Sequence, residues 1–250
     1  MMKVLAPIFR GEWEPYGAAL SCAPAPPQAP TLASLIQQPA LLKAVLSDHA
    51  RHCGSDDPRP VASAWSRSYL EALLPPVMVA ATLLRHRFEV APEHIRLEFD
   101  AAGAVRRFYL PDQGTPYTGD SFAQRYHALL DHHLAPLFGA LAGMSGVSLK
   151  ILWGNAARYI DSVLLHASPL EPQLGLRGLA ASDRHQLLDN PQRANGERNP
   201  LYTRLRRATL IEDGTSITHT LHRQCCLVYL MPDREFCECC PLDPRYSRKT

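Results

Sequence analysis

The chain of 250 residues is long enough to bury a substantial core, as one large domain or two small ones. Its composition, 46% hydrophobic and 20% charged, is that of an ordinary globular protein. The formal net charge of +2 gives no sign of a polyanionic partner, so nucleic acid is not expected as a ligand.

The first 60 residues show little regular pattern. The segment 22–30 is rich in proline, which is typical of an extended linker. Thr31 or Ser34 can cap one helix that runs through Leu46 and His49. We therefore predict that residues 1–60 form an N-terminal extension with a proline-rich linker and one helix.

The cellular location is predicted from what the sequence lacks. Met1–Arg10 shows no secretion signal, and no apolar run reaches the roughly 18–20 residues that span a bilayer. The longest candidate, Tyr69–Leu84, is interrupted by Pro75 and Pro76, so we interpret it as a buried pair of helices. We expect a cytoplasmic protein, for which transient contact with the inner membrane through a partner stays open.

Residues 61–205 are predicted to form a mostly helical body with one β-hairpin. His94–Phe99 and Val105–Leu110 flank a turn at Asp100–Gly103, which is the pattern of a hairpin. A helix beginning at Asp120 or Ser121 follows, and a later helix is expected over Ser148–Leu165.

A second hairpin is predicted near the start of the C-terminal region, residues 206–250. Its turn falls at Asp213 and Gly214. Taken together, the patterns predict an α+β fold: a mostly helical body with a small antiparallel sheet and a C-terminal lobe packed on it.

The cysteines are concentrated at the C-terminal end of the sequence. Five of the seven lie in the last 26 residues. The full set is Cys22, Cys53, Cys225, Cys226, Cys237, Cys239 and Cys240. A disulfide framework would spread its cysteines along the chain and would suit a secreted protein. A tight group in a cytoplasmic chain instead indicates a metal site.

The spacing of four of these cysteines narrows the kind of site. Cys225 and Cys226 are adjacent, ten residues separate them from Cys237, and two more separate Cys237 from Cys240. Neighbouring side chains point apart in a strand, so the backbone must bend sharply to turn both thiols toward one centre. The spacing departs from the commonest zinc ribbon and from plant-type ferredoxins. From the residues alone, an iron–sulfur cluster and a structural zinc ion both remain open.

Three parts of the sequence resemble a known family. The segments Arg223–Tyr229 and Cys237–Pro241 are similar to the C-terminal signature of the FhuF-type ferric siderophore reductases. Ser63-Ala-Trp-Ser66 with Leu74-Pro-Pro-Val77, and Leu152-Trp-Gly-Asn-Ala156, look like further blocks of that family. The resemblance spans roughly residues 61–241. One departure is the additional Cys239, although the spacing favours Cys240 as the fourth ligand.

The resemblance implies a cofactor and a reaction. It implies a 2Fe-2S cluster on Cys225, Cys226, Cys237 and Cys240, so that the C-terminal lobe is an iron–sulfur lobe. It further implies an enzyme that reduces ferric siderophores of the hydroxamate type by one electron and releases ferrous iron in the cytoplasm. Because the sequence has no glycine-rich dinucleotide fingerprint, the electrons should come from a separate donor protein or reductant. The alternative is a siderophore-binding or synthetase-like module with structural zinc on the cysteines.

Four further residues are candidates for contact with the substrate. Trp65 and Trp153 lie in apolar helical patterns, where they either pack in the core or form a wall of the siderophore site. Asn155 and Arg158 lie three residues apart on one helix, where they either bind a carbonyl-rich ligand or are solvated. Because a chelate must come close to the cluster, we also expect the cysteine lobe to be near the surface and to border an open cleft.

Overall fold

The computed structural model describes residues 2–119, 122–212 and 215–246. The helices are α1 (Glu14–Ala18), α2 (Leu32–Gln37), α3 (Pro39–Cys53), α4 (Pro58–Leu83), α5 (Phe122–His127), α6 (Ala135–Ser145), α7 (Leu149–Ala167) and α8 (Leu179–Leu188), with a π-helix at Ala128–Leu134. The strands are β1 (Leu20–Ser21), β2 (His86–Arg87), β3 (Arg96–Phe99), β4 (Val105–Tyr109), β5 (Thr115–Pro116), β6 (Arg207–Glu212) and β7 (Thr215–Thr220). Helices dominate and the sheets are small, so the predicted α+β class is confirmed.

Helix α4 crosses the centre of the fold and packs along α7. It runs without a break through Pro75 and Pro76, so the prediction of a helix pair is wrong. Each interior proline removes a backbone hydrogen bond, at a cost of about 3 kcal/mol. Leu74, Val77 and Met78 are nevertheless buried on both sides of the proline pair. Their packing holds the helix together where local propensity alone predicts a break.

The N-terminal segment is built into the core. Residues 2–57 form three α-helices and one strand where one helix was predicted, while the proline-rich residues 22–30 contain no helix or strand. Strand β1 pairs in parallel with β4, and Leu20 lies opposite Phe108. Leu5 and Leu32 are fully buried among the same residues that α4 and α7 contribute. The division into domains at residues 60 and 205 stays a prediction.

The predicted first hairpin is present as β3 and β4. Because β1 joins the other side of β4, this small sheet is mixed rather than purely antiparallel. The turn of the hairpin is held by two helices. Trp65 Nε1 of α4 donates a hydrogen bond to the carbonyl oxygen of Gly103 at 2.8 Å, and His49 Nδ1 of α3 lies 3.1 Å from that of Ala102. The turn therefore fixes the orientation of the His49 ring.

The second hairpin is formed by β6 and β7. Its predicted turn at Asp213 and Gly214 lies outside the described residues, as does the predicted helix start at Asp120 or Ser121. After β7, the described chain continues to Tyr246 as a loop with short 3₁₀ turns at Val228–Leu230 and Pro244–Tyr246. Within the described part of the chain, no helix has the length and apolarity needed to cross a membrane.

Candidate metal centre

Four cysteine side chains meet where the C-terminal loop lies against α4 and α7. The Sγ atoms of Cys240 and Cys225 are 3.7 Å apart, and the thiols of Cys226 and Cys237 are hydrogen-bonded to each other. We call these residues the four-cysteine group. Cys225, Cys226 and Cys240 are buried, and Cys237 is half-buried. The group is therefore mostly buried, and it is less exposed than the sequence suggests.

A sharp bend of the backbone brings the adjacent cysteines together, as their spacing requires. Leu227 has a φ angle of +62°, in the left-handed region that non-glycine residues seldom adopt. This turn directs two backbone amides at sulfur. The amide of Leu227 donates to Cys225 Sγ at 3.3 Å, and that of Val228 donates to Cys226 Sγ. Such N–H to sulfur hydrogen bonds stabilise thiolates.

A buried hydrogen-bond network anchors the cysteine pair to α4 and α7. Ser63 Oγ donates to the carbonyl oxygen of Cys226 at 2.7 Å. Asn155 Nδ2 donates in turn to Ser63 Oγ and Ser66 Oγ, both at 3.0 Å. The Ser63, Ser66 and Asn155 side chains are almost completely buried. Because buried polar groups are costly when unpaired, this network fixes the position of Cys226.

A glycine on α7 allows the cysteine segment to come close. A Cβ atom added at Gly154 would lie 2.4 Å from the Cβ of Gln224, the residue before Cys225. Any side chain at position 154 would therefore push the cysteine segment away from the helix.

Two arginines place positive charge beside the thiols. Arg67 Nη1 of α4 is 3.7 Å from Cys226 Sγ, and Arg158 of α7 acts on Cys226 and Cys237 electrostatically. The hydrogen bond from Cys237, the amide of Val228 and both arginines lower the pKa of Cys226 to about 5, against the effect of burial. Burial raises the pKa of Cys225 to about 12. Such closely spaced thiols ionise together only when a cation lies among them.

The spacing of one thiol pair suits coordination of a metal ion. Two thiolates on one tetrahedral metal, with bonds of about 2.3 Å, lie about 3.8 Å apart. The distance of 3.7 Å between Cys225 and Cys240 matches this spacing. Among the described residues, no group of three or more His, Cys, Asp or Glu side chains is gathered closely enough to hold a single ion. The clustered thiols are compatible with an iron–sulfur cluster.

Cys239 differs from its neighbour Cys240. Its backbone is in the left-handed region, with a φ angle of +59°. Its side chain interacts with Tyr246, while the Cys240 thiol is the one that meets Cys225. This geometry agrees with the spacing argument for Cys240 as the fourth candidate ligand.

Comparison with known proteins supplies the family. The family model described as "Ferric iron reductase FhuF-like transporter" matches residues 63–212. This chain belongs to that family. The predicted membership and the assignment to the reductases are thereby confirmed. The matched region ends before the four-cysteine group, so it includes α4 and α7 but not the thiols.

A curated relative is similar over a longer stretch. This FhuF-like chain is 28% identical to the "Ferric siderophore reductase" of Escherichia coli (strain K12) over 229 residues. The aligned region covers 88% of this chain and 81% of the relative.

The four predicted substrate residues lie in different environments. Trp65 is fully buried, and its indole N–H is bound to Gly103. Trp153 packs edge-on against Phe138 in the core, and the Asn155 amide is held within the serine network. Only Arg158 is half-buried beside the thiols. The structure therefore brings Asn155 and Arg158 to the four-cysteine group and leaves both tryptophans in the core.

Sequence reasoning did not single out Arg67, Gly154 or the hydroxyl of Ser63. Ser63 and Gly154 fall within the two sequence blocks that carry the family resemblance, so a signal for their importance was present. Arg67 had no such signal, because an arginine on a helix is usually solvated. Its role follows only from the packing of the C-terminal loop against α4.

Proposed function

We propose that this protein reduces the iron of ferric hydroxamate siderophores by one electron in the cytoplasm. The ligands of its 2Fe-2S cluster would be Cys225, Cys226, Cys237 and Cys240. One electron from a separate donor converts the ferric ion to ferrous iron, and the siderophore itself is left chemically unchanged. The observation that carries the proposal is the meeting of the four thiols in two close pairs in a member of a ferric iron reductase family.

The chemistry of the substrate fits a one-electron step. Hydroxamates are hard oxygen donors that suit ferric iron far better than ferrous iron. Adding one electron to the metal therefore weakens the chelate and allows the iron to leave. A bound 2Fe-2S cluster supplies electrons singly.

The residues around the thiols would favour the reduced state of such a cluster. Reduction adds negative charge, which hydrogen-bond donors and cations stabilise. The amides of Leu227 and Val228 point at sulfur, and Arg67 lies beside Cys226. The serine network meanwhile holds the carbonyl group of Cys226, so these donors keep fixed positions.

The first test is the metal content. Anaerobically purified protein should contain about two iron and two acid-labile sulfide ions per chain. After reduction it should show the electron paramagnetic resonance signal of a reduced 2Fe-2S cluster. One zinc ion without sulfide would contradict the proposal and favour the alternative of a binding module with structural zinc.

The second test is the reaction. Protein reduced with dithionite, then freed of excess reductant, should be reoxidised by ferric hydroxamates with one ferrous ion formed per cluster. A ferrous chelator measures the iron released. NADPH alone should not reduce the protein, because the sequence has no dinucleotide fingerprint. Rapid reduction by NADPH without a partner would contradict the proposed route of electrons.

A further inference from the structure

We propose that the ferric hydroxamate chelate binds in a cleft beside the four-cysteine group, which we call the Arg67 cleft. The inference rests on the proposed function and assigns its substrate site. The cleft has a volume of about 550 Å³ and is bounded by α3, α4, α7 and the loop between Cys226 and Cys237. Its lining includes His49, Arg67, Ser68, Tyr159, Val228 and Arg234.

The wall of this cleft is in direct contact with the thiols. Arg67 lines the cleft and approaches Cys226 Sγ to 3.7 Å. Val228 also lines it, and the Val228 amide is hydrogen-bonded to the same sulfur. A chelate seated here would be separated from Cys226 by little more than one side chain, which suits electron transfer without a bond between the chelate and the protein.

Two buried polar atoms at the cleft lack partners. His49 is only 5% exposed, and its Nε2 atom has no hydrogen-bond partner among the described residues. Arg67 Nε is unpaired in the same sense. Burial lowers the pKa of His49, so its ring is neutral near pH 7. Since Nδ1 faces the Ala102 carbonyl oxygen and donates to it, Nε2 is left as an acceptor.

The wall of the cleft thus contains one unused acceptor and one unused donor, both without solvent-accessible surface, which a ligand reaches when the His49 and Arg67 side chains turn toward it. Buried groups of this kind are rare in folded proteins, because each loses its hydrogen bonds to water without gaining a partner in the protein. A ligand with both carbonyl oxygens and N–H or O–H groups would satisfy them together. Siderophores built from hydroxamates carry both kinds of group. The exposed guanidinium of Arg234 lies at the same cleft and adds a cation for oxygen-rich ligands.

The other large cavities fit less well. A neighbouring groove lined by Trp13, Val163 and Leu165 is mainly apolar. It shares Tyr159 and Glu71 with the Arg67 cleft but includes none of the residues that touch the thiols. The cavity at Asp131 and Arg193 and the two at Cys22 and Lys43 also lack such residues. Proximity to Cys226 therefore favours the Arg67 cleft.

The test separates binding from reduction. The gallium(III) complex of desferrioxamine B, a trihydroxamate, has the shape and charge of the ferric complex but does not accept an electron. Its affinity for the oxidised holoprotein is measured by isothermal titration calorimetry. Ser68→Trp places an indole in the cleft without altering Arg67 or a cysteine, and should weaken binding about tenfold or more by steric conflict. Arg234→Trp, at an exposed position that folding tolerates, should weaken it as well by the same steric conflict.

The matched control is Ser162→Trp, which puts the same bulk into the neighbouring apolar groove. It should bind the gallium complex as the unsubstituted protein does. Visible absorption of the holoprotein checks that each variant keeps its cluster. If Ser68→Trp and Arg234→Trp both bind normally while ferric hydroxamates still reoxidise the reduced protein, the cleft is wrong and the proposed function stands. If no ferric chelate reoxidises the unsubstituted protein, the proposed function fails instead.

Discussion

At the scale of single residues, the hydroxyl of Ser63 connects the body to the cysteine pair. It donates to the carbonyl oxygen of Cys226 and accepts from Asn155. Ser63→Ala leaves the buried carbonyl oxygen of Cys226 without this donor, which costs on the order of 1–3 kcal/mol, whereas the Asn155 amide keeps its bonds to Ser66 Oγ and the Ser63 carbonyl oxygen. We expect the variant to fold but to lose the iron of the proposed cluster to a strong chelator several times faster. Loss of visible absorption with time measures this rate.

The control for that substitution is Ser68→Ala on the same helix. The Ser68 hydroxyl makes one long contact, 3.5 Å to the Ala64 carbonyl oxygen, and does not touch the cysteine segment. It should lose iron at the rate of the unsubstituted protein. Equal rates for all three proteins would show that the serine network does not hold the metal site.

The two neighbouring cysteines near the end of the described chain should respond differently to serine. Cys239→Ser should retain the proposed cluster, because the Cys239 side chain interacts with Tyr246. Cys240→Ser should lose it, because the Cys240 thiol is buried against Cys225. Iron and sulfide analysis of both purified variants checks the assignment. Retention in Cys240→Ser with loss in Cys239→Ser would show that the fourth ligand is Cys239.

The sequence alone predicted which cysteines are candidate metal ligands, but not which residues of the body hold them in position. The spacing of Cys225, Cys226, Cys237 and Cys240 is local, so the candidate ligands and a sharp bend at the adjacent cysteine pair were predicted from it. Ser63 and Cys226 lie 163 residues apart, and no local sequence pattern in either segment predicts their hydrogen bond. Contacts of that separation depend on how α4 and α7 pack, which no short-range pattern specifies.

At the scale of elements, α4 shows where local rules fail. Pro75 and Pro76 predict a break, yet the helix continues because its neighbours on both sides are buried. The same continuity carries Ser63 and Arg67 on one rigid element toward the C-terminal loop. By contrast, the helix α7 and the hairpin β3–β4 were predictable, since their apolar periodicities agree with their packing.

The approach of α7 to the cysteine segment depends on Gly154. In Gly154→Ala the new methyl group would lie 2.4 Å from the Cβ of Gln224, so the segment before Cys225 must shift. We expect the protein to fold with an altered cluster environment. The measurement is the visible circular dichroism and the g values of the reduced protein, both of which respond to small changes at the thiolates.

A matched glycine tests whether the effect is local. Gly139→Ala on α6 places its methyl group in open space, with no atom within 4 Å. This change should leave the spectra unaltered and stabilise the helix by up to about 1 kcal/mol, because alanine is the better helix former. If the spectra of Gly154→Ala were identical to those of the unsubstituted protein, the segment before Cys225 would be able to shift without altering the thiolates.

At the scale of the whole molecule, the N-terminal segment and the body share one core. Strand β1 pairs with β4, with Leu20 opposite Phe108, so the segment closes a sheet whose other strands come much later in the sequence. The proline-rich residues 22–30 predicted a linker from their composition. That composition carries no sign that the two residues before them, Leu20 and Ser21, pair with β4. Composition reports flexibility of the isolated chain, whereas pairing depends on the partner strand.

One buried histidine joins three parts of this core and makes stability depend on pH. His133 in the π-helix is fully buried between Tyr69 of α4 and the carbonyl oxygen of Val90. Its Nδ1 is 2.7 Å from the Val90 oxygen and donates to it, while its Nε2 is 2.6 Å from the Tyr69 hydroxyl and accepts from it. Burial lowers the pKa of His133 to about 4.

In the unfolded chain His133 binds a proton with a pKa near 6.5, whereas in the folded protein it does so only near pH 4. The folded protein is therefore destabilised relative to the unfolded chain as pH falls from about 6.5 toward 4. The stabilising effect of the neutral ring is complete above pH 6.5. Between pH 7 and pH 5 it should diminish by about 2 kcal/mol. His133→Asn removes the titration, so its free energy of unfolding should fall less over this range than that of the unsubstituted protein. Urea unfolding at both pH values measures the difference, in which the acid sensitivity of the metal site cancels. Parallel decreases in the two proteins would mean that His133 takes up its proton with an ordinary pKa, and that the core opens to water around it.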